Sequence, residues 1–188
     1  MSNQTQHTRT RRTITVLVLI VTLSLLLLTS FTYSQLNKTL RVSFIDVGQG
    51  DSIWLHASDD TDILIDGGRR SAGPTVVAHL QSEGIDDIDV MVLSHGDTDH
   101  IGGLIDVLRS AIPVESVIYN GQHRDIDTYL DLLAEMQARG LTPTPAEIGQ
   151  TYTWGEVDAF VLNPQETPTG DQNEDSVVLL VTYGDTDF

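Results

Sequence analysis

The chain has 188 residues, no cysteine, and 27 acidic residues against ten basic ones, for a formal net charge of −17. Without cysteine there can be no disulfide and no thiolate metal site, so any metal must rest on imidazole and carboxylate. After Lys38 the only cations are Arg41, Arg69, Arg70, Arg109, Arg124 and Arg139, which form no basic stripe that would favour tight binding along a phosphate backbone. A dense acidic surface with a single lysine fits adaptation to high salt, where screening weakens electrostatic steering and makes a missing basic stripe uninformative about substrate.

The first element is apolar. Arg9, Arg11 and Arg12 precede a run from Ile14 to Leu28 interrupted only by Thr15, Thr22 and Ser24, and continuing to Tyr33 it reaches the length that spans a bilayer core. Two export readings follow. An uncleaved anchor keeps the arginines on the cytoplasmic side; a cleavable signal ends at the poor small-x-small pattern Thr32-Tyr33-Ser34. Both place the rest of the chain outside the membrane and divide it into a leader, residues 1–36, and a globular part, residues 37–188.

In the globular part, residues 41–47 and 52–55 read as a hairpin around Gly48-Gln49-Gly50-Asp51, and 62–66 as a third strand closed by Gly67-Gly68. Gly73-Pro74 opens a helix whose apolar positions Val76, Val77 and Leu80 have helical spacing, ending at Gly84. Residues 90–93 form a short, wholly apolar strand, as expected of one buried on both faces. A helix is expected over 102–110, a strand over 116–119 and an amphipathic helix over 126–139, followed by strands over 151–154, 157–162 and 176–183. Strands alternating with helices between hairpins indicate a layered α/β domain. Gly184 to Asp187 reads as a hairpin turn with Phe188 opening the return strand, which suggests a chain that continues further, because a hairpin strand gains little without its partner.

The densest chemical signal is Ser94-His95-Gly96-Asp97-Thr98-Asp99-His100-Ile101-Gly102-Gly103. Four potential ligands fall within six residues, directly after a buried strand, where loops at the carboxyl end converge on one crevice. A short turn can aim His95 and Asp97 to one side and Asp99 and His100 to the other, giving two adjacent metal positions, and such donors suit zinc, manganese or iron. Gly102-Gly103 lets the following helix start close behind them.

His95-x-Asp97-x-Asp99-His100 resembles the H-x-H-x-D-H signature of the metallo-β-lactamase superfamily, with Asp97 in place of the second His. Together with Phe44-Ile-Asp-Val-Gly-Gln-Gly-Asp-Ser52 and Ile63-Leu-Ile-Asp-Gly-Gly68, it is similar to the hydrolase domain of ComEC-type competence proteins. The resemblance covers roughly residues 40–188 and implies an αββα sandwich carrying two divalent ions, zinc with manganese as the alternative. Asp66 matches the residue that supports the metal loop. Asp99 matches the one that both binds the second metal and accepts a hydrogen bond from the nucleophilic water. Where members usually supply a third His, this chain reads Asp171-Gln-Asn-Glu-Asp-Ser176, so Asn173 and Ser176 become further candidates. The implied activity is metal-dependent hydrolysis, first of nucleic-acid phosphodiesters such as DNA. Small esters or phosphoesters are the alternative substrates, and an inactive remnant or non-catalytic surface module, suggested by the incomplete ligand set, is the reading from another class. His123, after a strand, is a candidate border residue. Arg69 and Arg70 are candidates for touching an anionic substrate. His56 and His79 lie apart from other ligand types in sequence and read as surface or packed histidines.

Overall fold

The computed structural model describes residues 15–29 and 38–188, in two units, Met1–Lys38 and Thr39–Phe188. Residues 15–29 form a helix (α1) whose apolar residues, Val16 to Leu28, are all more than half exposed. Thr22 and Ser24 donate their hydroxyls to Leu19 O and Ile20 O, so even its polar groups are satisfied within the helix. No helix among the described residues is long and apolar enough to cross a membrane. The arginines at 9, 11 and 12, the continuation of the apolar run at 30–33 and the cleavage pattern at 32–34 lie outside the described residues.

In the second unit, the strands β1 (Leu40–Phe44), β2 (Ile53–Ala57), β3 (Asp62–Ile65), β4 (Ile88–Val92), β5 (Val114–Tyr119) and β6 (Thr144–Pro145) form one sheet in chain order. The first three pair antiparallel and the rest parallel. A second, antiparallel sheet has the order β10 (Thr186–Asp187), β9 (Val178–Tyr183), β8 (Val157–Asn163), β7 (Thr151–Trp154). The helices are α2 (Gly73–Glu83), α3 (Thr98–Ile101), α4 (Leu104–Arg109) and α5 (Asp127–Ala138).

Strand alternation divides the core in two. Trp54, Leu64, Met91 and Val117 face α2, α4 and α5, where Val76, Leu80, Leu104, Leu108, Leu132 and Met136 meet them. Leu55, Ile63, Val90, Val92 and Ile118 face the second sheet and pack on Val157, Val161, Val181 and Tyr183. Burying such side chains removes them from water at roughly 1.5–3 kcal/mol each. The described residues thus build helix, sheet and sheet, three layers of the expected sandwich. On the outer face of the second sheet Phe160, Leu162 and Val178 remain about 40–46% exposed.

Two boundaries differ from the sequence expectation. The helix expected over 102–110 is α4, but a further helical turn, α3, precedes it inside the expected loop, the two separated at Gly102 and Gly103. The 66–68 turn crosses here: Gly67 N donates to His100 O at 2.7 Å and Gly103 N to Gly68 O at 3.0 Å. The terminal turn is shorter than expected: Thr186 already pairs with Tyr183, and Phe188 exchanges two backbone hydrogen bonds with Val181.

Candidate metal centre

β1, β3, β4 and β5 run in the same direction, so the segments after them emerge along one edge of the sheet. They deliver Asp51, Asp66, the 94–100 loop and the Gln122–Arg124 segment. The second sheet adds residues 171–177, tied down where Val177 N donates to Ser94 O at 2.7 Å. Between the sheets at this edge lies a cavity of about 440 Å³. His95, His100, Asp66, Asp51, Asn173 and Ser176 give it polar groups; Ile53, Ile65, Val92, Leu179 and Val181 are among its apolar walls.

Asp66 is the hub. It is 1% exposed and adopts φ of 56°, an uncommon backbone conformation for a residue with a side chain. Its carboxylate accepts from Ser94 N at 2.9 Å, Ser94 Oγ at 2.5 Å and His100 Nδ1 at 2.8 Å. Because Ser94 Oγ donates to Asp66, it can accept from His95 Nδ1, 3.0 Å away; Ser176 Oγ lies 3.2 Å from the same nitrogen. One carboxylate therefore sets both imidazoles, His100 directly and His95 through a hydroxyl. With the ring neutral and Nδ1 carrying its proton, each turns Nε2 away from its support, the arrangement that fixes metal-binding histidines.

The two rings stand 4.0 Å apart between centroids. His95 is 3% exposed, and its Nε2 is buried without a hydrogen-bond partner. Its pKa is lowered, by burial first and then by the charge of His100, against the pull of nearby carboxylates. The hydrogen bond to Asp66 raises that of His100 against burial.

The four loop residues do not all converge. Asp97 Oδ2 lies 3.6 Å from His95 Nε2, while its other oxygen accepts from Arg124 at 2.8 Å. Asp99 lines a separate depression with Arg69, Arg70, Ser71 and Thr98, and accepts from Gln49 Nε2 at 2.9 Å. Partial desolvation raises the Asp99 carboxyl, but its own backbone amide, Gln49 and the charges of His100 and Arg69 outweigh this and hold its pKa below the ordinary range. Among the described residues no group of three or more His, Asp or Glu stands ready to hold a metal ion.

Asn173 lines the cavity and Ser176 touches His95. His123 is exposed, edge-on to Tyr129, and does not line the cavity. His56 is bonded to Asp62 and stacked on Trp54, and His79 meets the same indole edge-on. Sequence reasoning passed over four residues. Asp51 Oδ2 comes within 3.8 Å of His100 Nδ1. Gln49 holds Asp99, and Arg124 holds Asp97. Gln172 accepts from Gly96 N at 3.2 Å and donates to Gln122, which donates to Asp175. Only Asp51 and Gln49 carried a signal, since both sit in the Gly48–Asp51 turn of a motif already singled out.

The donor set fits a divalent ion of intermediate softness. The imidazoles are oriented, the Nε2 of His95 is buried and unpartnered, and carboxylates flank them. His95 and His100 would hold the ion, with Asp97, 3.6 Å from His95 Nε2, as a neighbouring carboxylate.

The description "Metallo-beta-lactamase superfamily" belongs to a family model that matches residues 45–188. Among curated proteins, ComE operon protein 3 of Bacillus subtilis (strain 168) is 26% identical over 171 residues, covering 82% of this chain and 22% of that protein. Recombination protein 2 of Haemophilus influenzae is 29% identical over 167 residues, covering 83% and 18%. Competence protein ComA of Neisseria gonorrhoeae is 33% identical over 144 residues, covering 76% and 18%. The chain spans 18–22% of the length of these relatives. Among solved structures, the MIM-2 metallo-beta-lactamase superimposes with a TM-score of 0.54 at 13% identity, covering 78% of this chain and 55% of that one. A metallo-beta-lactamase of Cronobacter sakazakii gives 0.52 at 21%, covering 76% and 52%; at such identity these likenesses show the fold alone. By the match over residues 45–188, the chain belongs to the metallo-beta-lactamase superfamily.

Proposed function

We propose that this domain is a metal-dependent hydrolase of phosphodiester bonds, acting outside the membrane on a nucleic-acid strand. The observation that carries the reading is the pair of imidazoles whose Nδ1 atoms are both tied, directly or through Ser94, to buried Asp66, with the Nε2 of His95 left unpartnered. Buried polar atoms are rarely left without any partner, and this one belongs to a residue that lines the cavity. The competence and recombination relatives support a nucleic-acid substrate, and the apolar run before the domain supports export.

A divalent ion bound at these imidazoles supplies Lewis acidity that makes water nucleophilic near neutral pH. The remaining work belongs to the chain. His95 and His100 are held in one tautomer and one direction. Asp99, kept ionised by Gln49 and Arg69 and carried on the same loop as the two imidazoles, is the carboxylate we assign to accept a proton or a hydrogen bond from an attacking water. Arg124 pins Asp97 beside His95. Ile53, Ile65, Val92 and Leu179 keep one wall of the cavity apolar, which strengthens the polar interactions inside it.

Calorimetric titration of the full chain with Zn²⁺ and Mn²⁺ should show binding that His95→Ala and His100→Ala each weaken by roughly tenfold or more. The metal-loaded chain is then incubated with single-stranded DNA and with bis(p-nitrophenyl) phosphate. Cleavage of both supports the reading, and cleavage of the small diester alone retires the nucleic-acid substrate in favour of small phosphoesters. No metal uptake would leave a non-catalytic module.

A further inference from the structure

We propose that the depression formed by Arg69, Arg70, Ser71 and Thr98 is a phosphate-binding subsite that holds the backbone of a single-stranded nucleic acid next to the bond to be cut. This rests on, and extends, the phosphodiester reading. The depression has a volume of about 520 Å³ and is bounded by Thr98 and Asp99 of the loop that also carries His95 and His100, so an anion held there lies against the metal loop.

Its arginines make looser charge contacts than Arg41, Arg109 and Arg124 do. Arg41, Arg109 and Arg124 each have a carboxylate oxygen within 2.8 Å, and Arg139 donates to the carbonyls of Ile112 and Ser110. Arg69 donates to an amide oxygen, Gln49 Oε1, and among the described residues forms no ion pair with a carboxylate. Arg70 forms two long ion pairs, at 3.8 Å with Asp106 and 3.6 Å with Asp131. Guanidinium donors with no carboxylate in hydrogen-bond contact match the paired oxygens of a phosphate, and the hydroxyl of Ser71 adds a further donor.

The subsite is also fixed in place. A Cβ on Gly102 would stand 2.4 Å from Arg70 N and 2.9 Å from Arg69 C, so glycine there lets the Arg69-Arg70 backbone lie directly on the end of α3. The distance from subsite to metal loop is thereby set by backbone contact. In a chain carrying 27 acidic residues the long-range field repels nucleic acid. That field is screened beyond roughly 3 Å at 1 M salt, so direct donors decide binding there.

The test measures fluorescence anisotropy of a labelled oligothymidylate with the full-length chain, in chelator and about 1 M KCl, the screening regime described above. Arg70→Gln and Arg109→Gln each remove one positive charge, so their long-range effects match and the comparison isolates contact. Arg70→Gln should weaken binding roughly tenfold, with Arg109→Gln close to the unaltered chain. Ser71→Glu, at an exposed position, should weaken it further with an unchanged circular dichroism spectrum. Equal weakening by the two arginine variants, or no binding by the unaltered chain up to roughly 1 mM, would overturn the subsite. Because no metal is present, failure here is distinct from failure of hydrolysis, which bis(p-nitrophenyl) phosphate reports independently.

Discussion

Asp66 has the most consequences of any single residue, since both imidazoles take their direction from it. In Asp66→Asn the amide keeps the shape but loses the negative charge and one acceptor. Zn²⁺ affinity should fall by about 10–100-fold, the usual penalty for a lost support of a metal-binding histidine, as measured by competition with a chromophoric chelator. The same substitution should lower the pKa of His100, whose rise comes first from the Asp66 hydrogen bond.

In the metal-free chain the raised His100 pKa contributes stability that is complete below the ordinary value of about 6.5 and lost as pH rises through the raised folded value. His95 runs the other way. Its lowered pKa contributes stability above about 6.5 that is lost as pH falls through the lowered value. Imidazole NMR titration of the metal-free protein should place the His100 midpoint above that of His95, and the reverse order would contradict the hydrogen-bond assignment.

At the scale of elements, two glycine pairs bring the metal loop onto the turn after β3. A Cβ at Gly103 would stand 2.0 Å from Gly67 O, and one at Gly67 2.8 Å from Leu104 N. Both clashes are with backbone, which cannot rotate aside. Gly103→Ala should destabilise the domain by roughly 1–3 kcal/mol, the range for overpacked interiors, read from urea unfolding, and a neutral result would mean the crossing can slide.

This crossing also explains the helical turn inside the loop, which the sequence did not suggest. Residues 95–100 read as a polar loop and Gly102-Gly103 as a permissive helix start, whereas in the structure helical turns flank the two glycines. The interruption is imposed by the hydrogen bonds between 67–68 and 100–103, long-range partners that no local window contains. β6, two residues long and ending on Pro145, was invisible for a related reason: it exists only because β5 offers it an edge.

For the whole molecule the controlling fact is charge. All 27 carboxylates lie beyond Lys38, facing six arginines, so self-repulsion opposes the compact state and salt should relieve it. The melting temperature of the metal-free chain should rise on the order of 5 °C between about 0.1 and 2 M KCl, followed by scanning calorimetry; a flat or falling profile would argue against adaptation to high salt.

The sequence by itself determined the layered α/β class, most strands, and the loop where metal-binding residues gather, because strand alternation, helical spacing and the His/Asp density of 95–100 are all local properties. Only the tertiary structure decided which of those residues share a cavity. His95 and His100 are turned together by Asp66 and Ser176, 34 and 81 residues from the imidazoles they meet, whereas Asp99 is drawn aside by Gln49, 50 residues away. A side chain's direction is set by the partner it finds in space, and partners so distant along the chain meet only once the sheets have packed.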